Sequence, residues 1–345
     1  MENIIGQLDI LRQEMVRERN VFKARAYDTV IKQLRNLPTD IAITVVSADD
    51  LIKAGVTGIG DKIHAKIDEI INTGVLQSAE KIKTDSRINL SLYQDLLKVY
   101  GVGPVKAKAL TEHKDIHSIA DLETVLAKEP RLLNEKQKLG LKYYDDIQKR
   151  IPRDEISLHE ALLKRVFKQS DDRFTVTVVG SYRRGATDSG DIDVLISWST
   201  SVRGVHDKDK DKDPEFTNVE AVAAFHRTID VFKTSEKYIS DVLALGDKKC
   251  LAVCKLRQSG IARRIDMLLT PPDEYPFALL YFTGSDKFNI QFRKKVLEQG
   301  YTLNEHGYRS TNTKTNIPND KLSILKSERD VFERFGIPYV SPEKR

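Results

Sequence analysis

Two acids stand where a strand should be wholly apolar. Asp191 and Asp193 bracket the start of Ile192-Asp193-Val194-Leu195-Ile196-Ser197, and a third, Asp266, interrupts Arg263-Arg264-Ile265-Asp266-Met267-Leu268. Side chains alternate along a strand, so Asp191 and Asp193 share one face. Three carboxylates converging from two adjacent strands repel one another unless a cation sits between them. Two Mg²⁺ ions about 3.5–4 Å apart are the usual arrangement, aligning an attacking and a leaving oxygen on phosphorus. Upstream, Gly180-Ser181-Tyr182-Arg183-Arg184-Gly185 offers a small turn whose N–H groups and hydroxyl suit a phosphate, with arginines to neutralise it. A lone Asp-x-Asp is weak, since most are loops or helix caps. Gly-Ser, then Asp-x-Asp on a strand, then a further strand Asp points to nucleotidyl transfer. The sequence contains no nucleophile triad, P-loop or Rossmann fingerprint.

Strand signals begin only after Pro152: Phe174 to Val179, Ile192 to Ser197, Lys249 to Leu256 and Arg264 to Leu269. Before it, Leu8, Leu11, Met15 and Val16 recur at helical spacing. So do Val30, Ile31, Leu34 and Leu37, a run that Pro38 stops. A helix is expected over 157–169, with Leu158, Leu162, Leu163 and Val166 on one face. The 345 residues therefore divide into a helical half and a mixed half, with the boundary near Arg150 to Glu155. The helical half contains a repeat. Gly58-Ile59-Gly60 and Gly101-Val102-Gly103 each separate two helical runs, and each is followed by lysines: Lys62 and Lys66, then Lys106 and Lys108. Glycine lets a backbone approach a phosphate, and the next helix presents free N–H groups to it. One copy reads equally well as a glycine-capped hairpin; two copies with lysines favour contact with a DNA backbone.

Charge does not supply that contact in bulk. Residues 1–85 carry 12 Lys/Arg against 13 Asp/Glu, 86–150 carry 12 against 9, and 151–345 carry 32 against 29. Local faces must do the binding, with modest salt dependence. The chain has no apolar run of the roughly 18 residues a transmembrane helix needs, and its first twenty residues are too acidic for a transit peptide and lack a signal peptide's apolar core. Two cysteines, Cys250 and Cys254, fit buried thiols in a reducing, intracellular setting. The segment His206–Asp213 alternates Asp and Lys but has Lys212 and Asn218 where an EF-hand needs Gly and Glu, so a solvated loop is expected.

With these motifs in place, the chain resembles the family X DNA polymerases, with polymerase beta the nearest pattern. The resemblance rests on the Gly-x-Gly pair, Gly180 to Asp193, Arg263 to Asp266, Tyr281-Phe282-Thr283-Gly284-Ser285, Lys149-Arg150-Ile151-Pro152-Arg153 and Gly336-Ile337-Pro338-Tyr339. It runs from about residue 5 onwards, with no BRCT-like extension or C-terminal phosphoesterase domain expected. It implies an α+β protein: a helical N-terminal domain with helix-hairpin-helix units and a nucleotidyltransferase-type polymerase domain, whose mixed-sheet palm is flanked by helices. The implied boundaries are 1–82 for a lyase-like domain, 91–151 for a DNA-binding subdomain, 152–271 for the palm and 272–345 for nucleotide selection.

The resemblance also implies roles. Asp191, Asp193 and Asp266 match the catalytic metal triad, binding two Mg²⁺, with Mn²⁺ able to substitute, and Asp266 takes the primer 3′-hydroxyl proton. Arg150, Ser181, Arg184 and Gly190 match the triphosphate contacts, and Arg264 the arginine at the primer terminus. Tyr281, Phe282 and Gly284 match the sugar-facing turn, Asp286 and Asn289 the base contacts, and Arg293 a template contact near Glu305. Lys66 matches the Schiff-base lysine of a 5′-deoxyribose-phosphate lyase. Lys62 lies one turn before it, and Lys23 and Tyr27 line the same pocket. The like charge of Lys62 and an apolar surround of Ile63, Ile67 and Phe22 are expected to free the amine as a nucleophile. Phe22 and Ser78 replace a histidine and a lysine of polymerase beta, which implies weak substrate binding. Backbone carbonyls of Ala54, Val56 and Ile59, and of Leu97, Val99 and Val102, match monovalent-cation sites for Na⁺ or K⁺. Gly58, Gly60, Gly101, Gly103, Lys62 and Lys106 would meet DNA. The implied partners are gapped or nicked double-stranded DNA and dNTPs, with no membrane and a monomeric chain. The implied location is the nucleus if the source is eukaryotic, or host cytoplasm or virion if viral. Two rivals are a template-independent terminal transferase, disfavoured by the short link Leu245-Gly246-Asp247-Lys248, and a non-catalytic DNA-binding scaffold, disfavoured by the intact triad.

Overall fold

The computed structural model describes residues 1–18, 20–84, 89–199, 216–257, 260–311 and 325–345, and the chain divides into two units, Met1–Lys142 and Tyr143–Arg345. The expected loop at His206–Asp213 lies outside the described residues.

The first unit is helical throughout its described residues. Its helices are α1 (Glu2–Arg17), α2 (Val21–Arg35), α3 (Thr39–Ala42), α4 (Ala48–Lys53), α5 (Asp61–Thr73), α6 (Gln77–Thr84), α7 (Leu90–Lys98), α8 (Pro104–Thr111), α9 (Ile119–Lys128) and α10 (Glu135–Lys142). Apolar stripes make the core: Leu8 and Leu11 of α1 meet Val30, Ile31 and Leu34 of α2, Leu51 of α4, and Ile63, Ile67 and Ile70 of α5. Side-chain oxygens of Asn20, Ser47, Asn89 and Ser118 cap α2, α4, α7 and α9.

Both Gly-x-Gly turns share one backbone design. Gly58 and Gly101 take left-handed φ of +84° and +81°, a region that disfavours any other residue. Gly60 and Gly103 are the extended N-caps of α5 and α8, and Pro104 occupies the first turn of α8, where its missing N–H is not needed. A glutamine from elsewhere braces each loop. Gln33 of α2 exchanges hydrogen bonds with Thr57, and Gln137 of α10 donates to the Gly101 carbonyl at 3.0 Å.

The second unit begins with α11 (Tyr144–Ile147), β1 (Ile151–Pro152) and α12 (Arg153–Ser170). Then come β2 (Phe174–Val178), α13 (Gly180–Arg183), β3 (Asp188–Ser189), β4 (Ile192–Trp198), α14 (Asn218–Thr234), β5 (Ile239–Leu245), β6 (Lys249–Cys254) and β7 (Arg263–Leu269). The five-stranded sheet has the order β2-β4-β7-β6-β5, and its β4–β7 pair is parallel amid antiparallel neighbours. One face carries Ile192, Val194 and Ile196 of β4 and Ile265, Met267 and Leu269 of β7, packed in a core with Leu163 and Phe167 of α12 and Phe225 and Ile229 of α14. Alternation therefore turns Asp193 and Asp266 to the opposite face. Beyond the sheet, α15 (Tyr275–Thr283), α16 (Asp286–Glu298), the hairpin β8 (Tyr301–Asn304) and β9 (Gly307–Ser310), and α17 (Glu328–Arg334) close around Phe277, Phe292, Val331 and Phe332.

Three expectations need correction. Helix α12 starts at Arg153, with Pro152 as its N-cap, so its buried stripe is Ile156, His159, Leu163, Val166 and Phe167, and Leu158 is 61 % exposed. Strand β5 went unseen because Ser240 and Asp241 interrupt its apolar run. Phe22 is 87 % exposed and forms no apolar surround for Lys66, whose apolar neighbours Ile63 and Ile67 point into the core instead. Cys250 and Cys254 are buried free thiols on β6, and burial pushes both up to about 12. Among the described residues no helix is long and apolar enough to cross a membrane.

Candidate active site

The parallel pairing of β4 and β7 sets Asp193 directly opposite Asp266, and Asp191 precedes β4 by one residue. One carboxylate oxygen from each lies within 4.8 Å of the others, the single such acid cluster among the described residues. The electrostatics follow from this crowding. Burial, then the charges of Asp191 and Asp266, push the Asp193 carboxyl up to about 7. Burial also raises Asp266, against the opposing pull of Arg264. Arg264 spans the cluster, with Nη2 at 3.2 Å from Asp191 and 3.5 Å from Asp266. Asp266 Oδ1 is buried without a hydrogen-bond partner. Gly180, at φ +60°, closes one side, since a Cβ there would come within 2.5 Å of Asp193 Oδ2. An all-oxygen donor set with an orphaned buried oxygen suits a hard divalent cation such as Mg²⁺ or Mn²⁺.

The other polymerase-site residues expected from sequence lie in the second unit. Ser181, in α13, donates to Ser189 Oγ at 2.7 Å. Arg150 lies beside Gly190, where a Cβ would sit 3.2 Å from its Nη1. Arg184 donates to the Thr283 carbonyl at 2.6 Å and lies against Gly284, tying α13 to the end of α15. Gly284 has φ +67° and its bond to Ser285 is cis. Tyr281 and Phe282 pack edge to face, and Asn289 donates to the Tyr281 carbonyl at 2.7 Å. Tyr281, Asn289 and Arg293 line one cavity together with Phe277, Leu280 and Leu303. Asp286, exposed, opens α16.

Sequence reasoning missed several buried groups. Arg263 is 3 % exposed, pairs with both oxygens of Glu155 at 2.7 Å, and donates to the carbonyls of Lys149 and Arg150. Glu328, 5 % exposed, sits between Arg183 and Arg345 at 3.0 and 2.6 Å. His159 is fully buried, accepts or donates to Tyr238 at 2.7 Å, and is held down to about 4 by burial. No local pattern marks these three: the pairs Arg263–Glu155, Glu328–Arg183 and His159–Tyr238 join residues 108, 145 and 79 positions apart.

In the first unit, Lys62 is exposed and Lys66 half-buried on α5, with Lys66 Nζ 3.3 Å from the Lys62 carbonyl. Lys23 is exposed on α2, and Tyr27 packs against the core, its hydroxyl raised by burial. Ala54 is the C-cap of α4, Val56 is buried, and Ile59 lies between the turn glycines. In the second copy Leu97 is exposed in the last turn of α7, while the Val99 carbonyl accepts from Val102 at 3.0 Å. Lys106 is half-buried in the first turn of α8.

Fold and acid cluster together define a nucleotidyltransferase-type domain preceded by paired helix-hairpin-helix turns. Family models match in order along the chain: a helix-hairpin-helix domain over 2–76, the fingers domain of DNA polymerase lambda over 94–148, the DNA polymerase beta palm over 150–272 and its thumb over 278–345. The chain belongs to the family X DNA polymerases. It is 31 % identical to DNA polymerase lambda of Arabidopsis thaliana over 349 residues, which cover 99 % of this chain and 61 % of the relative. It is 25 % identical to DNA polymerase lambda of Rattus norvegicus over 352 residues, covering 99 % and 56 %. The chain thus spans rather more than half the length of these relatives.

Proposed function

We propose that this chain is a DNA-directed DNA polymerase of base-excision-repair type, adding dNTPs to a primer 3′-hydroxyl in short gaps, with a 5′-deoxyribose-phosphate lyase activity in its first unit. The observation that carries the reading is the convergence of Asp191, Asp193 and Asp266 on one sheet face. These three hold divalent cations, two Mg²⁺ or Mn²⁺, which when bound supply charge neutralisation at the reacting phosphate oxygens. Asp266 accepts the 3′-hydroxyl proton at its unpartnered Oδ1. Arg264 steers the primer terminus. Arg150, Ser181, Arg184 and the Gly190 backbone hold the triphosphate. Tyr281, Phe282 and Gly284 face the sugar, Asp286 and Asn289 the base, and Arg293 the template strand.

In the first unit, Lys66 is the Schiff-base amine, with Lys23, Tyr27 and Lys62 beside the 5′-phosphate. The glycine turns and Lys106 grip the backbone of gapped or nicked DNA, and the Ala54-Val56-Ile59 and Leu97-Val99-Val102 carbonyls take Na⁺ or K⁺. Gap filling, rather than untemplated extension, is favoured by the link between β5 and β6. Gly246 N–H donates to the Lys249 carbonyl at 2.8 Å, so the strands join in a tight turn too short to stand in for a template strand. Primer extension on one-nucleotide-gapped DNA, with and without a 5′-phosphate, tests the reading. Metal-dependent incorporation of the complementary nucleotide supports it. No incorporation with Mg²⁺ or Mn²⁺, or equal addition to bare single strands, overturns it.

A further inference from the structure

The guanidinium of Arg150 is not loose. Its Nε and Nη2 both donate to one carboxylate oxygen of Asp188, at 2.8 and 2.6 Å, and Nη2 also reaches the Asp188 carbonyl at 3.1 Å. One edge of the fork is therefore fully engaged. The other edge, with Nη1, lies over Gly190, the residue just before Asp191, so close that a side chain at 190 would crowd it. The backbone repeats this placement. Arg150 immediately precedes β1, which pairs with β3 so that Ile151 faces Ser189 and Pro152 faces Asp188, and Arg153 N–H donates to the Thr187 carbonyl at 3.0 Å. From the other side, the buried Arg263 donates to the Arg150 carbonyl. A guanidinium presents donors in a rigid fork, so fixing one edge aims the other.

We propose that Asp188 is a positioning residue for nucleotide binding: it holds Arg150 by one edge so that the remaining edge, over Gly190, meets the incoming triphosphate. This rests on the polymerase reading above. The alternative, in which Asp188 competes with the phosphates for Arg150, makes the opposite prediction. Asp188 and Arg150 are 47 % and 59 % exposed, so substitutions there leave the core untouched.

The test compares Asp188→Ala, Asp188→Asn, Arg150→Ala and the Asp188→Ala/Arg150→Ala double variant. Two readouts are used: gap-filling kinetics, and equilibrium binding of an α,β-methylene deoxynucleoside triphosphate to the protein on gapped DNA. Asp188→Ala is expected to raise KM and weaken analogue binding about five-fold, the scale of one exposed ion pair, while kcat stays within about two-fold. Asp188→Asn, which keeps an acceptor oxygen, is expected to restore most of the affinity. In the Arg150→Ala background the Asp188 change should add nothing, because the two residues act through one contact. Unchanged or tighter nucleotide binding in Asp188→Ala, or an equal loss when Arg150 is already absent, overturns the proposal. If the wild type binds the analogue but fills no gap, the polymerase reading falls and the binding series still decides the role of Asp188.

Discussion

Asp193→Asn in metal-free protein is the change whose consequence the structure fixes most closely. Asp193 holds its proton more tightly folded than unfolded, because burial and two neighbouring carboxylates oppose its charge. Stability from this group is therefore lost as pH rises from about 4 to about 7, and the full cost is present above that. The rise from the ordinary value of 3.8 to about 7 corresponds to about 4 kcal/mol. A second buried group masks the effect. His159 is held down to about 4 from 6.5, so the folded state gains about 3 kcal/mol as pH rises across that interval. The two slopes oppose each other between pH 4 and 6.5, so the wild-type profile alone does not read the aspartate. Subtracting wild type from Asp193→Asn removes the histidine and isolates the aspartate. The variant should be about as stable as wild type near pH 4 and about 4 kcal/mol more stable at pH 8 in EDTA. The single tryptophan, Trp198, is buried at the end of the same strand, so urea unfolding followed by its fluorescence reports this unit directly. Mg²⁺ should then stabilise the wild type at pH 8 and leave the variant unmoved. A difference that stays within about 1 kcal/mol from pH 4.5 to 8 would refute the reasoning that the acids hold one another uncomfortably until a cation arrives.

Asp266→Ala should lower gap filling by about a thousand-fold or more while gapped-DNA binding changes little; retention of more than about a tenth of the activity contradicts its assignment. Lys66→Ala should remove most of the covalent adduct trapped by borohydride on a 5′-incised abasic site, and an undiminished adduct places the amine elsewhere. Glu328→Gln leaves two guanidiniums, Arg183 and Arg345, facing a neutral amide, so thermal unfolding should reveal a loss of about 3–5 kcal/mol; a shift under about 1 kcal/mol shows that solvent already serves both arginines.

The acids were legible because each violates its surroundings: a carboxylate in a β-branched run has few structural excuses, and period-two alternation already assigns its face. The Gly-x-Gly repeats were legible for a similar local reason, since a left-handed turn at Gly58 and Gly101 admits little else. Alternation alone cannot say which strands are neighbours. Only the sheet order, with β4 and β7 paired in parallel, brings Asp193 against Asp266, 73 positions away in sequence, and buries the Asp193 carboxyl beside its neighbouring acids so that its affinity for a proton rises. Helix α12 shows the same limit on a smaller scale: periodicity located it, but the choice between Leu158 and His159 for the interior depended on where the sheet lay. The Arg150–Asp188 fork, the Arg263–Glu155 pair and the Glu328 cluster join residues 38, 108 and as many as 145 positions apart. Sequence determined which residues had chemistry to offer, because composition and spacing are local properties. Tertiary structure decided which of them meet, because an ion pair between distant segments leaves no periodicity along the chain.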